Sequence, residues 1–151
     1  MSQRPFINLA RTSCICVLAL TLNACALFNF GGGGYSKPVT LNAACEQRED
    51  DGHYDKINLK IVQNTVQSLD WTSNPRQGKC QFKLADFTQV ATQPQADLQS
   101  RFDKQCHLYV WQNGQYVTVS TNNCAKVCAV NEYVLPVLLD PNTGACSKIG
   151  R

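Results

Sequence analysis

Cysteine is the reactive side chain used most heavily in this 151-residue sequence, with nine copies against two histidines. Six of them, Cys45, Cys80, Cys106, Cys124, Cys128 and Cys146, lie beyond residue 40. An even set in an oxidising compartment reads as three disulfides, and spacing does not choose among the many connectivities open to six thiols. The expected pairing is Cys45 with Cys80, Cys106 with Cys124 and Cys128 with Cys146. The competing chemistry is a metal clip built from Cys124-x-x-x-Cys128 together with Cys106 and the adjacent His107. Zinc sites usually show paired short spacings, and only one such pair occurs, so disulfides are preferred and no metal or cofactor is expected. The stretch Glu46-Gln47-Arg48-Glu49-Asp50-Asp51-Gly52-His53-Tyr54-Asp55 gathers five carboxylates and a histidine. It lacks the alternating ligand order of a calcium loop, so a charged surface loop is expected. General-base chemistry at His53 or His107 would need a nucleophile beside it, and neither G-x-S-x-G nor H-E-x-x-H occurs. No catalytic residue is expected, and the chain is not read as an enzyme.

Two features suit recognition better than catalysis. Cys106 to Thr121 forms two alternating runs around Asn113-Gly114, a dipeptide that favours the positive φ angles of a tight hairpin turn. A two-residue turn there would set Trp111 opposite Tyr116, Val110 opposite Val117, Tyr109 opposite Thr118 and Leu108 opposite Val119. Leu108, Val110, Val117 and Val119 then make an apolar face, and His107, Tyr109, Trp111 and Tyr116 make an amphipathic aromatic one. Such rings dominate recognition surfaces, although a covering segment or second sheet would bury them instead. The second feature is the loop Ser73-Asn74-Pro75-Arg76-Gln77-Gly78, where Arg76 and the following Lys79 could enter an acidic cleft. The candidate partner-binding residues are therefore Arg76, Lys79, Tyr109, Trp111 and Tyr116.

Export is written at the start of the chain. Arg4 and Arg11 precede the apolar run Cys14 to Leu22, and Leu22-Asn23-Ala24-Cys25 follows. This junction resembles the lipobox of bacterial lipoproteins, with leucine three before the cysteine and a small residue just before it. The resemblance implies cleavage ahead of Cys25, lipid on its thiol and an acylated amino terminus. Ala26, not being Asp, implies sorting to the outer membrane. Read instead as an uncleaved anchor, Cys14 to Phe30 is short for roughly 30 Å of hydrocarbon and is interrupted by Asn23 and Asn29. Losing Arg4 and Arg11 lowers the formal charge from +3 to +1. The remaining basic residues are scattered, which excludes a nucleic-acid footprint.

The elements that must hold these residues follow from periodicity. Residues 1–24 read as signal peptide, 25–38 as a lipidated Gly-rich tether and 39–151 as a disulfide-stabilised β domain. Gly31 to Gly34 cannot favour one backbone state, and the segment Ala26 to Lys37 would span roughly 20 Å as a coil. Lys56 to Ile61 and Gln67 to Trp71 alternate around a Gln63-Asn64-Thr65 turn, and Cys80, Phe82 and Leu84 continue the pattern. Pro94 to Phe102 reads as the one helix, with Leu98 and Phe102 at four-residue spacing. Tyr133 to Leu139 reads as an edge strand because Pro136 cannot donate to a ladder. The fold expected is mainly β, a small antiparallel sandwich or barrel of six to eight strands stapled by three disulfides.

Size, export and disulfide content are similar to those of envelope inhibitors of lysozyme, a likeness of format that carries no residue with it. The expectation is an outer-membrane-anchored, noncatalytic protein-binding lipoprotein, with a lysozyme-type inhibitor as its sharpest form. Membrane lipid through Cys25 and another envelope or secreted protein are its expected partners. The alternative is a structural accessory lipoprotein of an envelope complex.

Overall fold

Alternation of apolar and polar residues governs the domain from Leu41 onward. The computed structural model describes residues 37–76, 78–128 and 133–147. The leader, Cys25 and the glycines of the tether lie outside the described residues. The first sheet contains β1 (Leu41–Arg48), β2 (Tyr54–Val62), β3 (Thr65–Asn74) and β4 (Cys80–Lys83), in that order. A 3-10 turn at Leu84–Asp86 leads into the second sheet. Its strands are β5 (Phe87–Ala91), β6 (Ala96–Ser100), β7 (His107–Asn113), β8 (Tyr116–Asn122), β9 (Val137–Leu139) and β10 (Cys146–Ser147). They run in the order β10-β9-β8-β7-β6-β5, and every pairing in both sheets is antiparallel. One short helix, α1 (Ala125–Cys128), interrupts the passage from β8 to β9.

The inward residues of the two sheets form one hydrophobic core. Ile57, Leu59, Ile61, Trp71 and Phe82 of the first meet Leu98, Leu108, Val110, Val119 and Val137 of the second. Trp71 and Phe82 lie 5.0 Å apart between ring centroids with their planes tilted, and Phe87 extends the cluster at 6.3 Å from Phe82. Fully burying side chains of this size contributes roughly 1.5–3 kcal/mol each. The mainly β, three-disulfide architecture is thus as expected, with ten strands among the described residues instead of six to eight.

Several details depart from the sequence expectations. Pro94 to Phe102 is not a helix. Its centre is β6, hydrogen-bonded between β5 and β7, with Ala96, Leu98 and Ser100 buried and Phe102 77% exposed beyond the strand. The disulfides join Cys45 to Cys146, Cys80 to Cys128 and Cys106 to Cys124. Only the last matches the expected pairing. Sheet edges decide the others: β1 and β10 are edge strands brought together, and β4 is the opposite edge, against α1. The β7–β8 hairpin also slips by one residue on each strand. Its loop is Gly114-Gln115, so Trp111 faces Thr118, Val110 faces Val119 and Asn113 faces Tyr116. Gly114 has φ 58°, as the first central residue of a II′ turn requires. The shift is even in total, so every side chain keeps its face. Pro136 precedes β9 instead of lying inside it, and β9 sits between β8 and β10.

The β2–β3 turn is Gln63-Asn64, with φ of 49° and 61°, the left-handed pair of a type I′ turn. Asn64 also ties three segments together. Its side chain accepts the Val39 N–H at 2.7 Å and donates to the Thr92 carbonyl at 2.8 Å. At Asp140-Pro141-Asn142-Thr143-Gly144, the backbone N–H groups of Thr143 and Asn142 bond the Asp140 carboxylate and hold its pKa below the usual range.

Candidate functional site

Strand alternation sorts β7 and β8 into two unlike faces. Leu108, Val110, Val117 and Val119 are buried in the core. His107, Tyr109, Trp111 and Tyr116 point the other way and are all half-buried. Residues 94–102 do not cover these rings: their strand, β6, lies beside β7 in the same sheet and supplies a residue to the face. That residue is Asp97, whose Oδ1 is 2.7 Å from His107 Nδ1. The contact leaves His107 Nε2 as the ring nitrogen available to a partner and fixes the ring plane. The Tyr109 ring stacks on His107 with centroids 5.8 Å apart and planes 14° from parallel. Thr118, opposite Trp111, is buried on the same side, and Ser120 stands opposite Tyr109.

The chemistry of this face is aromatic, amide and hydroxyl. Strands β6 to β9 contain no Lys, Arg or Glu, and their one outward carboxylate, Asp97, is engaged with His107. Half-exposed Trp and Tyr with few mobile charges are the composition found at the centres of recognition patches. Ser120, two positions along β8 from the residue opposite His107, donates its hydroxyl to the Thr121 carbonyl at 3.4 Å. The arrangement therefore presents an oriented imidazole and flat rings at the surface.

The other sequence candidates lie elsewhere. Ser73 and Asn74 belong to β3, so the basic loop is 75–79; Pro75 is buried, and Arg76 and Lys79 are exposed. This loop is at the far end of the first sheet and is not brought to the rings. Glu46 to Asp55 is only partly the charged surface loop expected. Glu46 and Arg48 end β1 as exposed residues, but His53 and Asp55 are buried. His53 Nδ1 contacts Asp51 Oδ1 at 2.9 Å, and Asp55 Oδ1 accepts Trp71 Nε1–H at 2.9 Å. Burial pushes the Asp55 carboxyl above its ordinary pKa, against the opposing hydrogen bonds from Trp71 and Ser73. Among the described residues no group of three His, Cys, Asp or Glu is arranged to hold a metal ion. All six cysteines beyond residue 40 are in disulfides, so the metal-clip alternative does not apply.

The four-residue spacing of Leu98 and Phe102, which favours a helix, hides Asp97; the alternation of Ala96, Leu98 and Ser100 is the signal that finds it. Comparison of the chain with protein-family models, with curated proteins and with solved structures finds no match.

Proposed function

We propose that this chain is a lipid-anchored, noncatalytic binding module of a bacterial envelope that engages another protein through the β7–β8 aromatic face. One observation supports this reading above the rest: Tyr109, Trp111 and Tyr116 remain half-exposed beside an oriented His107–Asp97 pair, on strands without Lys or Arg. Flat rings lose little side-chain freedom on binding and bury a large area, so a few of them can carry most of an interface. The lipobox-like Leu22-Asn23-Ala24-Cys25 supports an envelope address, with membrane lipid as the second partner.

The test places a photo-crosslinking amino acid at Tyr116 of the full-length chain and, as control, at Lys60 on the outer side of the first sheet. A discrete protein adduct from Tyr116, absent from Lys60 and lost in Trp111→Ala, is the expected result. Adducts of equal yield from both positions would remove the proposal. The inhibitor form is checked by titrating purified full-length chain in detergent against lysozymes of several classes and following wall lysis. Near one-to-one inhibition weakened at least about tenfold by Trp111→Ala would support it.

A further inference from the structure

The loops of the sandwich divide between two ends. The chain enters at Val39, and Asn64, Thr92 and the 140–144 turn surround that entry. The opposite end is organised by α1, on which two disulfides converge. Cys80–Cys128 brings the close of the 75–79 loop to it, with Cα atoms 4.6 Å apart. Cys106–Cys124 does the same for the 101–105 loop, at 4.4 Å.

Exposed on these three segments are Arg76, Lys79, Arg101, Lys104 and Lys126. Among the described residues Lys56 pairs with Glu46, and His53 and His107 contact Asp51 and Asp97; none of these contacts uses the five cations. Asp86 and Asp103 are the neighbouring carboxylates, and Asp103 Oδ1 already accepts the Gln105 N–H. The acidic turn at 49–53 shares this end but belongs to β1 and β2, across β3 from β4. Two large apolar groups stand within the cationic half. Phe102, 77% exposed, lies beside Lys126 and Val127. Tyr133, 91% exposed, stands on the other side of α1, at a hollow of about 360 Å³ that includes Cys124, Ala125 and Val134.

We infer that the α1 end is a second docking surface, shaped for an acidic protein whose carboxylates meet Lys79, Lys126 and their neighbours while an apolar side chain covers Phe102. Charge complementarity selects the sign of the partner. Position selects its class, in a step that rests on the lipid-anchor reading above. Strand β2, with nine residues, runs about 30 Å from the α1 end towards the Val39 end. On that reading the domain is held at its Val39 end, which leaves the α1 end at the other end of the strands from the attachment point, where a protein partner can meet it.

The full-length chain in nonionic detergent is titrated at low ionic strength with poly-Glu, with a random Glu-Tyr copolymer and with phosphatidylethanolamine–phosphatidylglycerol vesicles. The copolymer is expected to bind, and more tightly than poly-Glu. Lys79→Glu with Lys126→Glu should weaken it about tenfold, whereas the charge-matched Lys60→Glu with Lys83→Glu should cost less than about twofold. Phe102→Ala should erase the advantage of the copolymer over poly-Glu, and Trp111→Ala should change nothing. Intact mass and thiol titration confirm three disulfides in each variant. Failure of the copolymer to bind, equal losses from the two double variants, or tighter binding to vesicles through the same lysines would each overturn the inference. Because the readout uses neither the aromatic face nor the anchor, failure here leaves the proposed function standing.

Discussion

The outer faces of the two sheets obey the same alternation and end in opposite chemistry. On the first sheet Glu46, Lys56, Asn58, Lys60, Asp70, Gln81 and Lys83 are exposed, and Lys56 and Glu46 pair loosely at 3.6 Å. On the second, Tyr109, Trp111 and Tyr116 are half-buried around Thr118, and the only outward carboxylate of β6 to β9, Asp97, contacts His107. Inside, the contrast reverses. The first sheet turns a carboxylate, Asp55, into the interior, while the inner face of β6 to β9 carries no ionisable group. Surface lysines and acids keep a sheet soluble and resist association, so the first sheet presents a solvated wall. Rings held flat with few mobile charges do the opposite.

The largest test of this contrast concerns the seam between the sheets. Cys45–Cys146 joins β1 to β10 across 101 residues, whereas Cys106–Cys124 spans 18 within the second sheet. In the chain-entropy account, removing the first pair as a double alanine variant should cost about 4.7 kcal/mol and removing the second about 3. Denaturant melts under oxidising conditions measure both, and a reversed order would show that native-state strain dominates. Next in size, Leu108→Ala should cost about 3 kcal/mol, because it empties a fully buried site, and the adjacent Tyr109→Ala less than about 1. Equal losses would mean that the aromatic face is packed like a core.

Asp55 offers a smaller effect with a defined sign. Its folded-state pKa is raised above 3.8 by burial, so the stability contributed by the neutral acid is complete below that value and is lost as pH rises through the folded value. Asp55→Asn keeps an acceptor for Trp71 Nε1–H. It should therefore gain stability over the parent at about pH 7 and show no gain at about pH 3, with His53 and Glu49 beside it unchanged. A difference that does not vary with pH would contradict the assignment. Smallest of all, Lys60→Glu should alter the unfolding free energy by less than about 0.5 kcal/mol in denaturant melts.

Sequence pattern carried the strands well because side-chain period is a local property. The alternation in Lys56–Ile61 and in Leu108–Val119 is enough to place both hairpins and the face of each residue. Register was harder. Asn113-Gly114 and Gly114-Gln115 are both acceptable turn dipeptides, and only the pairing of the whole hairpin separates them. At 94–102 the four-residue spacing of Leu98 and Phe102 is also an even spacing, so it fits a strand as well as a helix. Ladder bonds to β5 and β7 decide in favour of the strand, and those partners are distant in sequence. The disulfide partners were hidden for a related reason, since they depend on which sheet edges meet. Of the candidate-site residues, Tyr109, Trp111 and Tyr116 can be found by alternation alone; Asp97 depends on recognising β6.

The Cys45–Cys146 bond has a mechanical meaning as well. β1 is an edge strand whose first residues follow directly on the chain's entry at Val39, so tension from the N-terminal side would peel it from β2 one pair at a time. The pairs from Leu41 to Ala44 could open in this way, but at Cys45 the load passes into a covalent link to β10. Beyond that point the force must shear two sheets together instead of unzipping one, and a peelable edge becomes a short fray backed by a brake.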